Sequence, residues 1–440
     1  MKKVLVLGVI AAMLSACGGT SQGELVGVQE QSEYRPADPY GMVLIPRGTY
    51  NMGANDQNVP YAHTTAMRTV TMHAYFMDQT EVTNNEYRQF VYWVRDSIAR
   101  TLLADALVEG YEYIEEDRDG EPLDKPVLDW KPGLDYGDDD EEIMEALESM
   151  YLPEEERIFG KKEFDPREWA YTYSWLDKSS AASKENRYDV ENGTYREGYS
   201  RQGLVKTNEV LVYPDTLAWI HDYSYTFNEP MFDTYFWHPA YGDYPVVGVD
   251  WNQATAFANW RSDLLYSSLS EEQQSYETRF RLPTETEWEY AARGGREQSM
   301  YPWGGPYSRN SQGCFLANFK PLRGNYIADG YAFTSRTDAF WPNDYGLYCM
   351  SGNVSEWTAT PFEPTVGTFL HDMNPEYTYN ADENAHPKLK RKVVKGGSWK
   401  DVGAYLQIAA RDYEYQDTTK SYIGFRCVKT YPLVKEVTFK

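Results

Sequence analysis

The sequence predicts an α+β fold with many short strands, few helices and long loops, plus one large insertion. Short apolar runs closed by Pro or Gly indicate strands, and three capping boxes indicate helix starts. An acidic segment separates the first predicted helix from the other two. Because nothing repeats at a period of about 20 to 50 residues, we expect one enlarged domain with an insertion.

The predicted elements follow from local patterns. Strands are predicted over residues 41–46 and 69–76. The first helix begins at Thr83, which forms a capping box with Glu86. Its apolar face consists of Tyr87, Phe90, Val91, Val94 and Ile98. The later helices are predicted from two more capping boxes, Asp250 with Gln253 and Thr284 with Glu287.

Residues 101–160 carry 21 Asp or Glu against 4 Lys or Arg. So dense a single-sign charge predicts a segment outside the core, partly ordered by interspersed Tyr, Leu and Trp. We therefore predict a domain over residues 41–103 and 244–440, with residues 104–243 as an acidic, Tyr-rich insertion. The insertion is interpreted either as a solvated flap or as an element that docks a protein.

The composition and net charge argue against some classes of binding partner and of enzyme. The net charge of −25 repels nucleic acid and anionic lipid headgroups, so we expect no nucleic-acid partner. The 38 Tyr residues indicate extensive interfaces that are partly exposed to solvent. No GxSxG elbow or GxxxxGK[ST] phosphate loop is present.

The N-terminus has the pattern of a secretion signal over residues 1–16. Lys2 and Lys3 precede an apolar run that is too short to span a bilayer. Small residues directly before Cys17 resemble a bacterial lipoprotein processing site, so we predict lipid chains on Cys17 and a tether over residues 17–40. The alternative is an ordinary signal that happens to be cleaved before a cysteine.

Residues 338–357 contain two turn-forming clusters, at 342–344 and 351–353, around a short apolar run. This pattern predicts an ordered loop, strand and loop with a buried Trp at each end. Backbone carbonyls and the Glu356 carboxylate in the second cluster suit a hard cation such as calcium. The alternative is a tight turn with a solvated Glu356.

This stretch resembles the signature of the formylglycine-generating (sulfatase-modifying) domain family, as do PVVGVDWNQATAFANW and RLPTETEWEYAARGG. The resemblance covers residues 41–100 and 244–430. It implies a C-type-lectin-like assembly of short strands, two helices and long metal-braced loops.

The resemblance also implies two calcium sites. The positions matching the first site are Asn318, Phe319, Asp329 and Tyr331. The positions matching the second site are Cys349, Gly352, Val354 and Glu356. Because a thiol is a poor ligand for an oxygen-loving cation, we expect the first site to persist and the second to be weak or absent.

Family enzymes that oxidise a substrate cysteine bind copper through two Cys shortly after a GGS turn. Here Gly396, Gly397 and Ser398 form that turn, Asp401 occupies roughly the place of the first Cys, and the next Cys is Cys427. Copper chemistry is therefore not expected, since soft Cu(I) needs thiolates. The three-His iron centre of a sister branch is not expected either, because the six His form no ligand cluster. We predict a non-catalytic protein.

Three cysteines remain besides Cys17, namely Cys314, Cys349 and Cys427, which allow at most one internal bridge and one free thiol. In the family the last-strand Cys often pairs with a Cys ending the RLPTEAEWEY helix. Position 292 is Ala here, so the resemblance implies that Cys427 lacks that partner.

Several segments resemble more closely the GldK/PorK type of ring lipoprotein from the gliding-motility and type IX secretion machinery of Bacteroidetes. They are NNEYRQFVYWVRDSIAR, GCFLANFKP, RKVVKGGSWKD and RDYEYQDTTKSYIGFRC. The resemblance implies a structural subunit that self-associates into a ring with the periplasmic N component (GldN/PorN-like). The residues after Cys17 lack an acidic export cluster, which favours the periplasmic face of the outer membrane.

A ring subunit needs two complementary faces. We predict that the acidic segment meets a basic run between neighbouring subunits or through the N component, setting register more than affinity. The basic residues are Lys388, Lys390, Arg391, Lys392 and Lys395. The alternative for this run is a strand edge that resists aggregation. The rival functions are a formylglycine-type oxidase of secreted proteins and a calcium-braced, lectin-like receptor.

Overall fold

The computed structural model describes residues 38–54, 58–116, 120, 122–137, 139–189, 192–195, 199–222, 229–321 and 323–432. Asp38–Pro432 form one compact unit. The predicted signal over residues 1–16, the lipidation site Cys17 and most of the tether lie outside the described residues. In the part that is described, no helix has the length and apolar character needed to cross a bilayer.

The strands are β1 Met42–Ile45, β2 Gly48–Met52, β3 Arg68–Met72, β4 Tyr75–Asp78, β5 Tyr113–Glu116, β6 Pro122–Leu128, β7 Ala170–Leu176, β8 Val205–Leu211, β9 Phe280–Arg281, β10 Ser355–Pro361, β11 Arg391–Lys395, β12 Asp412–Tyr415, β13 Ile423–Gly424 and β14 Val428–Thr430. The helices are α1 Asn84–Asp105, α2 Glu141–Leu147, α3 Lys178–Ala181, α4 Ala218–His221, α5 Glu229–Thr234, α6 Trp251–Ser267, α7 Glu271–Tyr276 and α8 Glu285–Arg293.

Two small sheets carry the domain. One has the strand order β1-β4-β14-β9 and is antiparallel throughout. The other has the order β12-β11-β10-β13, with β10 and β13 parallel. Three hairpins, β2-β3, β5-β6 and β7-β8, complete the described strands. This arrangement of short strands, helices and long loops confirms the predicted α+β class.

All three predicted capping boxes start helices. Thr83 Oγ1 accepts from the backbone N–H of Glu86 at 3.2 Å, and Glu86 Oε2 accepts from the N–H of Thr83 at 2.8 Å. The boxes at Asp250 and Thr284 have the same reciprocal form. The predicted apolar face of α1 is confirmed except at its end, where Ile98 is only half-buried. These contacts span three residues, which is why the sequence pattern suffices to predict them.

The strand predicted over residues 41–46 is confirmed as β1. The strand predicted over residues 69–76 is wrong as a single element, since it forms β3 and β4 with a break at His73. β3 pairs with β2, whereas β4 pairs with β1 and β14, so the chain changes sheets at this point. The His73 N–H donates to Asn374 Oδ1 at 2.6 Å instead of to a strand.

The apolar run between the two turn clusters of residues 338–357 forms a loop rather than the predicted strand, which is a correction. The Asn343 side chain supplies hydrogen bonds that a neighbouring strand would otherwise supply. Its Oδ1 accepts from the N–H groups of Tyr345 and Leu347, at 3.0 and 3.1 Å. Of the two flanking tryptophans, Trp357 is fully buried as expected, but Trp341 is 90% exposed.

Within residues 104–243, several of the described elements pack onto the domain. Hairpin β7-β8 packs against α6, and its Tyr171, Tyr173 and Val210 belong to the main hydrophobic core. A smaller core joins α1 to the acidic segment through Leu103, Val108, Leu147 and Met150. The acidic segment thus lies mostly outside the core, and only some of its apolar side chains are buried, since Leu107, Ile158 and Phe159 are exposed.

Candidate functional site

The glycine turn after β11 holds Asp401 against Ser398. Both Gly396 and Gly397 have positive φ, and a Cβ on Gly397 would lie 3.0 Å from the backbone of Tyr405. Asp401 Oδ2 accepts from Ser398 N at 3.0 Å and from Ser398 Oγ at 2.5 Å. The carboxylate therefore closes this turn with hydrogen bonds, as side-chain caps commonly do.

The described cysteines are Cys314, Cys349 and Cys427, and all three are free thiols. Cys314 is exposed, whereas Cys349 and Cys427 are buried. Burial raises the pKa of both buried thiols, which favours the neutral form. Among the described residues, no group of three or more His, Cys, Asp or Glu side chains is arranged to hold a metal ion.

The four residues predicted for the first calcium site lie together. Asp329 Oδ2 accepts from Phe319 N at 2.8 Å, and Asp329 Oδ1 accepts from Tyr331 N at 3.3 Å. Asn318 is 1% exposed and its Oδ1 is buried without a hydrogen-bond partner in the described part of the chain. Burial raises the pKa of Asp329, so a nearby cation would offset the cost of its charge. Asn318 thus offers an orphaned amide oxygen, and Asp329 contacts the next residue along the chain, so the oxygen types present fit a hard cation.

The orientation of the Asn318 amide is set by a buried polar network. Its Nδ2 donates to Phe333 O at 2.8 Å and to Asn353 Oδ1 at 3.4 Å, which leaves its oxygen free. Asn353 Oδ1 also accepts from Ser335 N at 2.8 Å, and its Nδ2 donates to Glu81 Oε1 at 3.1 Å. Sequence reasoning missed Asn353 and Glu81 as supporting residues, because their contacts join distant parts of the chain.

The second predicted calcium set does not fit a cation in this arrangement. Both oxygens of the Glu356 carboxylate accept from Arg426, at 2.6 and 2.7 Å, and one also accepts from Trp288 Nε1 at 2.7 Å. Cys349 has a φ of 51°, and Val354 packs in an apolar cluster. The negative charge that a calcium ion needs is already compensated by the guanidinium.

The predicted basic interface run is largely unavailable to a partner. Lys392 is fully buried, with its Nζ donating to Tyr379 O and lying 4.0 Å from the Trp251 ring centroid. Lys395 is also buried and lies 3.3 Å from Glu289. The inclusion of Lys392 is therefore a correction. The strand-edge alternative is wrong as well, because β11 is paired on both sides.

The remaining cations of the run differ in exposure. Lys390 forms an ion pair with Asp417 at 2.7 Å, and Arg391 lies over the Tyr413 ring at 4.4 Å. Lys388 is exposed, at the start of the turn before β11. Of the run, Lys388 is thus the residue most accessible to another molecule.

The fold and the site geometry define an α+β domain with a glycine turn, a buried arginine-carboxylate pair and a buried polar network around Asn318. The family model described as "Sulfatase-modifying factor enzyme 1-like domain" matches residues 28–131 and 186–431. The chain therefore belongs to this family, as the sequence motifs predicted.

Curated relatives carry both enzyme and non-enzyme names. The bovine "Formylglycine-generating enzyme" is 26% identical over 403 residues, covering 89% of this chain and 75% of that protein. The bovine "Inactive C-alpha-formylglycine-generating enzyme 2" is 32% identical over 191 residues, covering 42% of this chain and 50% of that protein. The "Formylglycine-generating enzyme" of Thermomonospora curvata is 35% identical over 191 residues, covering 42% and 55%. The chain thus spans three quarters of the first relative and about half of the other two.

Proposed function

We propose that this protein is a non-catalytic structural lipoprotein of the type IX secretion and gliding-motility machinery. In this proposal it forms a ring with the N component at the periplasmic face of the outer membrane, anchored through Cys17. The observation that carries the non-catalytic part is Asp401, which is bound to Ser398 where family oxidases have their first copper-binding Cys. The closer motif resemblances support the ring.

Copper oxidation demands thiolates that this turn lacks. Soft Cu(I) is held by sulfur ligands, and a carboxylate engaged in capping a turn does not replace them. The buried thiols of Cys349 and Cys427 have raised pKa values, which disfavours the thiolate forms that bind metal. In this proposal the family framework is kept for its shape, with calcium at Asn318 and Asp329 as a structural brace and no copper or iron.

We propose that the ring contact pairs the acidic insertion with the exposed, positively charged side chain of Lys388. Residues 101–160 carry 21 Asp or Glu against 4 Lys or Arg, and Lys388 lies on an exposed turn. Rim charges of this kind guide association and register more than they add affinity. Head-to-tail contacts between such faces generate rings when the rotation closes.

Copper binding and activity test the non-catalytic part. Purified protein is loaded with Cu(I) under reducing conditions and incubated with oxygen and a peptide that contains a single cysteine. We expect no stoichiometric copper and no loss of the peptide thiol. Tight copper binding with oxygen-dependent conversion of the cysteine would establish the rival oxidase, which the names of the relatives favour.

Cross-linking in cell envelopes tests the ring. We expect the chain to be captured with copies of itself and with one periplasmic partner, and Lys388→Glu to reduce the number of assembled rings seen by microscopy. Arg47→Glu, a charge reversal at another exposed position, serves as the control. Intact rings in cells that lack this protein would end the proposal, and capture of glycans or diverse secreted peptides would favour the receptor.

A further inference from the structure

A cleft of about 260 Å3 lies where five parts of the chain meet. Its walls come from the end of β2, residues 63–68, helix α8, the loop over residues 364–368, and the segment just before β12. Two arginines, Arg68 and Arg411, line it. The cleft is separate from the predicted calcium positions and from the residues of the proposed ring contact.

Arg411 is a buried guanidinium with spare donor capacity. It is 2% exposed, its Nη1 donates to Thr64 O at 3.1 Å, and its Nε lies 2.7 Å from Glu285 Oε1. Its Nη2 is buried and has no hydrogen-bond partner among the described residues. Buried donors in proteins are normally satisfied by protein, water or ligand, so this nitrogen calls for an acceptor in the cleft.

Arg68, which lines the same cleft, also has N–H donors without a strong acceptor. Its Nη2 contacts Met52 Sδ at 3.7 Å, a weak acceptor. Its Nη1 is buried and, within the described part of the chain, unpartnered. Two guanidinium groups, one from β3 and one from the loop just before β12, thus bring unused N–H donors to one cavity.

The fixed charges around the cleft are out of balance. The cations are Arg68, Arg293, Lys395 and Arg411, and the carboxylates facing them are Glu285 and Glu289. Glu289 is shared by Arg293 at 2.7 Å and Lys395 at 3.3 Å, so it has no charge to spare for the arginines of the cleft. Uncompensated buried charge is unfavourable, and an anionic ligand would relieve it.

The neighbouring carboxylates do not neutralise this excess of positive charge. Asp401 and Asp412 line a small adjacent cavity that Arg411 also borders. Asp401 is engaged by Ser398 and lies 3.9 Å from Lys400. Burial raises the pKa of Asp412 and lowers the pKa of Lys395, so the two shifts favour the uncharged forms of one acid and one base and largely offset each other in the charge balance. The excess of positive charge therefore remains at the cleft.

The rest of the lining is mixed. It includes His63 and four threonines, and its apolar side chains include Met52, Met67, Val366 and Ala409. An inorganic oxyanion would leave these groups without contacts, whereas an organic acid with a small apolar substituent would fill the volume. We propose that this cleft binds a carboxylate attached to a small apolar group, such as the C-terminal residue of a peptide. Guanidinium groups pair with carboxylates through parallel N–H···O bonds, and both arginines have donors left for this.

Calorimetric titration of the full chain tests the proposal. The probe is acetyl-Ala-Leu with a free C-terminal carboxylate, compared with the same dipeptide as its amide and with sodium sulfate at matched ionic strength. We expect the acid to bind at least about tenfold more tightly than the amide or sulfate, as expected when a charge-assisted contact is lost. Arg68→Gln should weaken the acid at least about tenfold.

Controls separate binding from folding. Arg296→Gln removes an arginine that pairs with Asp344 elsewhere on the surface and should leave acid binding unchanged. Arg411→Lys keeps the positive charge but loses the planar guanidinium group that can donate two parallel hydrogen bonds, so it should weaken binding. A thermal melt of this variant confirms that it folds. Equal binding of acid and amide, tighter binding of sulfate, no heat with any probe, or acid binding that survives Arg68→Gln would overturn the proposal.

Discussion

Arg426 holds the carboxylate of Glu356 through two hydrogen bonds, at 2.6 Å from Nη2 and 2.7 Å from Nε, and both side chains are fully buried. The same guanidinium donates to the backbone carbonyls of Asp78 and Tyr348, at 3.1 and 2.9 Å. This pair therefore ties the start of β10 to the last part of the chain, to β4 and to the loop before β10.

Removing the charge of Glu356 should destabilise the whole domain. Glu356→Gln keeps the shape but leaves the buried Arg426 charge without its partner, so we expect the free energy of unfolding to fall by about 3 kcal/mol or more. Denaturant unfolding measures this loss. Glu154→Gln, at an exposed position, should change stability by less than about 0.5 kcal/mol. Equal losses in the two variants would contradict the structural role of the pair.

Calcium should stabilise the protein through Asp329. If Asn318 and Asp329 hold the ion, calcium at about 100 times its dissociation constant adds about 2.7 kcal/mol to the free energy of unfolding. We expect EDTA to lower the melting temperature of the unsubstituted protein but not that of Asp329→Asn. Asp338→Asn, which alters an exposed acid paired with Arg336, should keep the calcium response. An identical melting temperature with calcium and with EDTA would exclude the site.

Lys392 should make stability depend on pH. Burial lowers the pKa of Lys392 to about 7, whereas a lysine in the unfolded chain titrates near about 10.4. Between these values the unfolded chain binds a proton that the folded protein does not, so stability rises with pH, by up to about 1.4 kcal/mol per unit. Lys392→Met should remove this rise, as measured by urea unfolding at pH 7, 8 and 9.

The exposed Lys388 is the matched control for that experiment. Lys388→Met should leave the rise in stability with pH unchanged, because Lys388 is exposed and folding does not bury its side chain. If Lys392→Met and the unsubstituted protein show the same slope, Lys392 does not lie in the environment described above.

The insertion should unfold together with the rest of the domain. Trp169 is 5% exposed in the main core, so Trp169→Ala should lower the free energy of unfolding by about 3–5 kcal/mol in a single cooperative transition. Phe159 is fully exposed in the same insertion, and Phe159→Ala should be nearly neutral. A separate low-stability transition for Trp169→Ala would mean that the insertion is an independent unit.

Local sequence patterns were sufficient to predict part of the structure of this protein. The three capping boxes predicted α1, α6 and α8, because each box is a hydrogen-bond exchange between residues three positions apart. The family motifs predicted the α+β fold, and they named Asn318 and Asp329 as neighbours. The side-chain chemistry and turn geometry that carry these predictions are contained in short stretches of chain.

The tertiary structure alone decided which charged and aromatic groups are buried. Lys392 and Lys388 stand four residues apart in one basic run, yet only Lys392 is enclosed, since β11 is an inner strand packed against Trp251. Glu356 meets Arg426 across 70 residues of chain. Burial and ion pairing depend on which distant segments pack together, because desolvation and Coulomb energies are set by neighbours in space rather than in sequence.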